Sequence, residues 1–314
     1  MINLFSAETY RYLQNKLQKL NSEFTIGEIE TCKFPDGEIY HRIINPEKIR
    51  NRPAVLISGT ISDAAVMETY NLACELVGQQ CSSLHLVIPY FGYSTMERAV
   101  RVGEVVPAKN IARLLSTIPL SAQGNFIYLI DLHSLGVQYY FEGSVHTVHL
   151  TSEPVIRRIV AELGAETVLA STDMGRAKWI EKMGQRLNLE SAYLMKERLS
   201  GSQTRVVALS ANVRGRDVAI YDDMIRSGSS IINAARAYKE AGARKIYVLT
   251  THGVFVPGAL ENMKKCGLIE KIFCTDTHPQ AETVCDDWVK IYDIAPAINS
   301  GLLTIYKNKD KICA

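Results

Sequence analysis

Val218-Ala-Ile-Tyr-Asp-Asp-Met-Ile-Arg-Ser-Gly-Ser-Ser230 is the stretch whose reading decides the fold. Val218 to Tyr221 form a short apolar run, β-branched and aromatic, that reads as a buried strand. It runs into two adjacent carboxylates, Asp222 and Asp223. Arg226, Ser227, Gly228, Ser229 and Ser230 then lead into a helical segment, Ser230–Ala241, which stops at Gly242. Strand, small-residue loop and helix together are the unit of open α/β sheets, in which ligands bind beyond the carboxyl ends of strands. Small residues opening a helix offer a phosphate free backbone N–H groups and the positive end of a dipole, and the serine hydroxyls add donors. Two carboxylates at a strand end can accept hydrogen bonds from a vicinal diol such as that of ribose. The same Ser and Asp residues equally suit a helix N-cap cluster with no ligand.

Working outward, the alternation recurs. Apolar runs at Ala54–Ser58, Leu84–Pro89, Phe126–Ile130, Thr167–Ser171, Asp217–Tyr221, Lys245–Thr250 and Lys271–Cys274 read as strands. Helical stretches such as Ala64–Gln79, Ala108–Leu115 and Pro154–Leu163 lie between them. This predicts an α/β protein with parallel sheets flanked by helices. The units are too many for one small sheet. A boundary near Leu150–Thr151 gives an N-terminal domain over 1–150 and a C-terminal domain over 151–293, with a helix near Ile294–Tyr306, inside 294–314, packing back on the first. YLIDLH in one half and AIYDD in the other, both apolar strands with acidic ends, hint at an internal duplication.

Composition excludes several classes. The chain has 314 residues, 47% apolar and 22% charged, with a net charge of +2. That balance gives no support to nucleic acid or a membrane surface as partner. No apolar run approaches a membrane span, and the N-terminus lacks a secretory pattern. Seven scattered cysteines, never in CxxC, argue against structural zinc or a disulfide framework and for reduced thiols in the cytoplasm.

Two further acidic strand ends stand out. Asp131 and His133, two residues apart after FIYLI, would project to one side of an extended segment. They could bind a divalent ion, or one could orient the other; a satisfied structural histidine is the alternative. Asp173 follows VLAS where a strand gives way to a loop. Mg²⁺ takes few carboxylates together with water and substrate phosphates, so a sparse set suits it.

Together these residues resemble the ribose-phosphate pyrophosphokinase family over nearly the whole chain. The matching pieces fall in the family's order: Phe34–Glu38 (FPDGE), Val87–Phe91 (VIPYF), Asp131–Ser134 (DLHS), Ser171–Asp173 (STD), Lys196–Arg198 (KER), Asp222–Met224 with its loop, and Thr251–Phe255 (THGVF). The resemblance implies two similar phosphoribosyltransferase-type domains with the active site between them. It implies transfer of the diphosphoryl group of ATP to the 1-hydroxyl of ribose 5-phosphate, with Mg²⁺. On this reading Lys196 and Arg198 stabilise the transferring group, although KER alone also reads as a solvated loop. His133, Asp173 and Asp131 hold Mg²⁺. Asp222 and Asp223 meet the ribose hydroxyls, and Arg226, Ser227, Gly228, Ser229 and Ser230 cradle the 5-phosphate. Asp36, Gly37 and Glu38 reach the adenine in a neighbouring subunit's site, which requires at least a dimer; hexamers are common in the family. Taken alone, FPDGE is a turn sequence.

The chain also departs from the common family form. Thr95 and Met96 stand in the nucleotide-binding segment where Arg-Gln is usual, removing a cation and an amide. Gly103 replaces an arginine of an allosteric phosphate site, Gly136 a glutamine, and Ser229 a glycine. Arg226 stands where the loop has an acid. The Ser94–Arg98 segment, Lys109–Leu120 and Thr277–Gln280 resemble the class II, phosphate-independent members. That resemblance implies weak phosphate dependence, weak feedback by ADP and a looser choice of nucleotide donor. Two other functions compete: a non-catalytic regulatory homologue that assembles with active subunits, favoured by loss of the nucleotide arginine, and a phosphoribosyltransferase, which shares the acidic sugar loop but lacks the Asp131–His133 and Lys196–Arg198 elements.

Overall fold

In a computed structural model of the chain, residues 1–200 and 203–307 are described, with side chains described except at 196–200, 203–208 and 307. Two units separate, one made of Met1–Thr151 with the segment from Ala295 onward, the other of Ser152–Ile294.

The first unit is built on a parallel sheet of β1 (Ile2–Ser6), β2 (Phe24–Ile26), β5 (Ala54–Ile57), β6 (Leu84–Ile88), β7 (Asn125–Ile130) and β8 (Val145–Leu150), in the order β2-β1-β5-β6-β7-β8. β5, β6 and β7 are buried along their whole length. Burial on both faces is why they read as continuous apolar runs. Between β2 and β5 the chain makes a separate antiparallel ribbon of β3 (Ile29–Lys33) and β4 (Ile39–Ile43). The helix Ala295–Lys307 belongs to this unit: Asn21 Nδ2 donates to Asn299 Oδ1 at 3.3 Å, and the Tyr306 ring lies 4.5 Å from His85. A Cβ at Gly301 would fall 2.4 Å from Leu150 Cδ2, so only glycine lets the helix approach so closely.

In the second unit β9 (Val168–Ser171), β10 (Ser191–Ser200), β11 (Gln203–Leu209), β12 (Val218–Ile225), β13 (Ile246–Gly253), β14 (Lys271–Thr275) and β15 (Val289–Tyr292) lie in the order β11-β10-β9-β12-β13-β14-β15. All neighbours are parallel except the β10–β11 hairpin. Its core is Val168, Ala170, Val218, Ile220, Val248 and Ile272 on one face, with Leu169, Ala219, Tyr221 and Leu249 on the other. Trp179 stacks on Tyr221 with ring centroids 4.0 Å apart.

The two units share one parallel strand order, second-first-third-fourth-fifth-sixth, and each inserts a hairpin after its second strand. The duplication hinted at by the acidic strand ends is therefore present, but in another register. YLIDLH is the fifth strand of its sheet, whereas AIYDD is the third of its own. The true counterpart of Asp131-Leu-His133 is Asp276-Thr-His278 at the end of β14.

Candidate active site

Strand β12 does not stop at Tyr221. It pairs with β13 as far as Ile225, with Asp222 opposite Thr250 and Met224 opposite His252. Both carboxylates therefore sit within the strand, and successive side chains of a strand face opposite ways. Asp223 is buried and pairs with Arg176, Nη2 to Oδ1 2.8 Å. Asp222 is half-buried; its Oδ2 lies 3.4 Å from Thr172 Oγ1 and its Oδ1 accepts from the Asp223 backbone N–H at 3.1 Å. Burial first, then the charge and hydrogen bond of Asp223, push the Asp222 carboxyl up to about 7, against the pull of Arg176. The two carboxylates thus differ in surroundings, Asp223 being engaged in an internal ion pair and Asp222 retaining some exposure.

Past Ile225 the loop is exposed at Arg226, Ser227, Ser229 and Ser230. Gly228 is the N-cap of the helix Ser229–Glu240, at φ 78°, and no side chain caps that end. Ser229 N–H donates to Ser227 Oγ at 3.5 Å, and the helix opens from a left-handed turn at Gly228. Ser227 Oγ lies 3.1 Å from Ser229 Oγ. A Cβ at Gly228 would meet Met263 Sδ at 2.4 Å. The loop is lashed down from behind: Phe255 N–H donates to Ile225 O at 2.9 Å and Val256 N–H to Arg226 O at 3.1 Å. This is the structural role of the THGVF stretch. Beneath it Thr251 Oγ1 meets Ser152 Oγ at 2.8 Å and Tyr221 OH at 3.0 Å, and His252 Nδ1 meets Thr277 Oγ1 at 2.8 Å. Sequence reasoning left Arg176, Thr172 and this threonine layer unassigned.

On the neighbouring strand β9, Asp173 follows Ser171, is half-buried, and caps a short turn through Gly175 N–H to Oδ1 at 2.8 Å. β10 pairs with β9 only as far as Tyr193 and Ser171 and then runs beyond the sheet with β11. Lys196 and Arg198 lie on that extension, where their side chains fall outside the described residues.

In the first unit, Asp131 and His133 follow the carboxyl end of β7. Asp131 leaves the extended conformation, with φ 37°, and its N–H donates to Leu150 O at 3.1 Å. Asp131 is buried and His133 exposed. The two do not project together from an extended segment, because a left-handed residue breaks the alternation. Thr95 and Met96, exposed, follow the adjacent strand β6 behind Tyr93, whose hydroxyl donates to Asp63 at 2.5 Å. Asp36, Gly37 and Glu38 make the turn of the β3–β4 ribbon, Gly37 at φ 99° and Glu38 N–H donating to Asp36 Oδ1 at 3.1 Å. This tip is exposed and belongs to neither large sheet.

Among the described residues no group of three His, Cys, Asp or Glu gathers as a metal cage. Each unit by itself offers few donors, the Asp131–His133 turn in the first and Asp173 in the second. A set that sparse fits an ion that keeps its waters and is carried largely by substrate phosphates, as Mg²⁺ usually is. Among the described residues no helix is long and apolar enough to cross a membrane.

Residues 2–118 match the family described as the N-terminal domain of ribose phosphate pyrophosphokinase, and residues 173–312 match the phosphoribosyl synthetase-associated domain. The ribose-phosphate pyrophosphokinase of Thermotoga maritima is 30% identical over 315 residues, covering 98% of this chain and 96% of the relative. That of Pyrococcus abyssi is 30% identical over 264 residues, covering 83% and 88%. The phosphoribosylpyrophosphate synthetase of Mycobacterium smegmatis superposes with a TM-score of 0.85 at 23% identity, over 98% of this chain and 99% of that one.

Proposed function

This chain belongs to the ribose-phosphate pyrophosphokinase family, and we propose that it transfers the β,γ-diphosphoryl group of ATP to the 1-hydroxyl of ribose 5-phosphate. The 1-hydroxyl oxygen gives up its proton to solvent and bonds to the β-phosphorus as the bond from that phosphorus to the α–β bridging oxygen breaks. AMP leaves and 5-phosphoribosyl 1-diphosphate forms. The observation that carries this reading is the loop after β12, a helix N-terminus opened by a left-handed glycine with exposed serines beside a half-buried carboxyl. That is a cradle for a phosphate monoester with an acceptor for sugar hydroxyls.

In this reading Arg226, Ser227, Gly228, Ser229 and Ser230 hold the 5-phosphate and Asp222 the ribose hydroxyls. Lys196 and Arg198 bring cationic charge to the transferring diphosphate, whose transfer depends chiefly on positioning and charge stabilisation. Thr95 and Met96 line the nucleotide side, and Asp36, Gly37 and Glu38 complete a neighbouring subunit's site in an assembly of at least two chains. Asp173 with the Asp131–His133 turn would hold Mg²⁺, which when bound offsets the charge of the phosphates. Met1–Thr151 with the C-terminal helix serves as the nucleotide and metal domain, and Ser152–Ile294 as the ribose 5-phosphate domain, in the cytoplasm.

The Ser94–Arg98 segment, with Gly103 at the allosteric position, supports a class II-like enzyme with little need of inorganic phosphate. Turnover measured with and without phosphate tests this. Rates within about twofold are expected, and an absolute requirement for phosphate would remove the assignment. The loss of the nucleotide arginine at Thr95 favours one other reading, a regulatory homologue that assembles with active subunits; it would bind such subunits but show no turnover of its own.

A further inference from the structure

The Arg176–Asp223 ion pair has no part in the transfer as proposed, yet it is deeply buried, with side chains 19% and 2% exposed. Arg176 closes the short turn Met174–Arg176 that follows β9, and Asp223 lies on the adjacent strand β12. The pair therefore ties the Asp173 turn to the strand that carries Asp222. Asp222 is itself held at both oxygens, by Thr172 Oγ1 and by the Asp223 backbone N–H.

Two carboxylates in consecutive positions repel unless one is neutralised or turned away. A buried carboxylate that lost its guanidinium would have to take up a proton or swing toward water. We propose that Arg176 is a positioning residue for the acceptor sugar: it draws Asp223 into the interior so that one carboxylate, Asp222, alone meets the two vicinal hydroxyls. This rests on the reading of the β12 loop as the ribose 5-phosphate site. One carboxylate has two oxygens, matching a cis-diol, and a sugar lacking the 2-hydroxyl leaves one of them unmatched. Arg176 thereby sharpens the preference for ribose over 2-deoxyribose 5-phosphate.

The test is calorimetric titration of ribose 5-phosphate and 2-deoxyribose 5-phosphate into the full-length wild type and the variants Arg176→Met, Arg176→Met with Asp223→Asn, and Arg176→Lys, alongside thermal melts. Arg176→Met should weaken ribose 5-phosphate binding by about tenfold, the worth of one charge-assisted hydrogen bond, and narrow the ribose preference. The double variant should recover to within about threefold of wild type, because an amide needs no counter-charge. Arg176→Lys keeps the charge without the planar fork and should weaken binding by about threefold or more. If Arg176→Met fails to fold, Arg176→Lys decides alone. Wild-type affinity in a folded Arg176 variant, with only its melting temperature lowered, would make the pair a purely structural one and overturn the inference. Absence of binding to the wild type would instead sink the acceptor-site reading on which the inference rests.

Discussion

Asp222 and Asp223 are neighbours in sequence with opposite surroundings. Asp223 is ion-paired and buried, whereas Asp222 is half-buried with its carboxyl raised from 3.8 to about 7. A carboxyl whose pKa is higher in the folded state than in the unfolded chain opposes folding as it ionises. The penalty is absent below about pH 4, grows through the interval up to about 7, and is constant above it. Asp222→Asn should therefore be more stable than wild type at pH 8, with the difference vanishing near pH 4; denaturant titrations across that range check it. Ligand affinity runs the other way. The ionised carboxylate is the better acceptor, so ribose 5-phosphate binding should weaken as pH falls through 7. The phosphate's own second ionisation, near pH 6, acts in the same direction, and the part of the dependence missing in Asp222→Asn belongs to Asp222. Lys196→Ala should lose about two to three orders of magnitude in kcat while its melting temperature stays within a few degrees.

At the scale of elements, the sugar-phosphate loop depends on its supports. Gly228→Ala would demand a left-handed alanine whose Cβ meets Met263. The expected cost is about 1–3 kcal/mol in stability, together with loss of ribose 5-phosphate binding, read by denaturation and titration. A variant that binds as wild type does would show that the loop does not hold the phosphate. The seven apolar runs legible in the sequence all became strands, because those strands are buried on both faces and carry unbroken apolar runs. β1, β2, β8, β10, β11 and β15 and the β3–β4 ribbon were not among them. Apart from β1, which is buried and paired on both sides, they are short, partly exposed or paired on one side, and alternation is weak there. The loop residues were legible because small residues between a strand and a helix announce themselves. Arg176 was not: its partner lies 47 positions away, and only the pairing of β9 with β12 brings them together. The left-handed turn at Asp131 was equally invisible, since nothing in Ile-Asp-Leu-His marks a positive φ.

At the scale of the whole molecule, the same parallel strand order in both units shows a duplicated architecture whose copies have diverged in their strand ends. The acidic motifs compared in the sequence came from non-equivalent strands, so the duplication was sensed through residues that do not correspond. The exposed ribbon tip at Asp36–Glu38, assigned to a neighbour's site, makes a prediction about assembly. Sedimentation should give a mass at least twice the 35.0 kDa of one chain. Co-refolding two variants inactive on their own, Asp36→Ala and Lys196→Ala, should restore activity, because mixed assemblies contain some sites with neither defect; no recovery would place Asp36 outside the site. The measurement closest to the central claim follows the phosphorus nuclei of ATP by ³¹P NMR, with ribose 5-phosphate, Mg²⁺ and the full-length enzyme. The ATP signals should decline while AMP and a sugar-linked diphosphate rise in equal amounts, with no free phosphate released. Persistence of ATP at every phosphate concentration, or formation of ADP in place of AMP, would contradict diphosphoryl transfer.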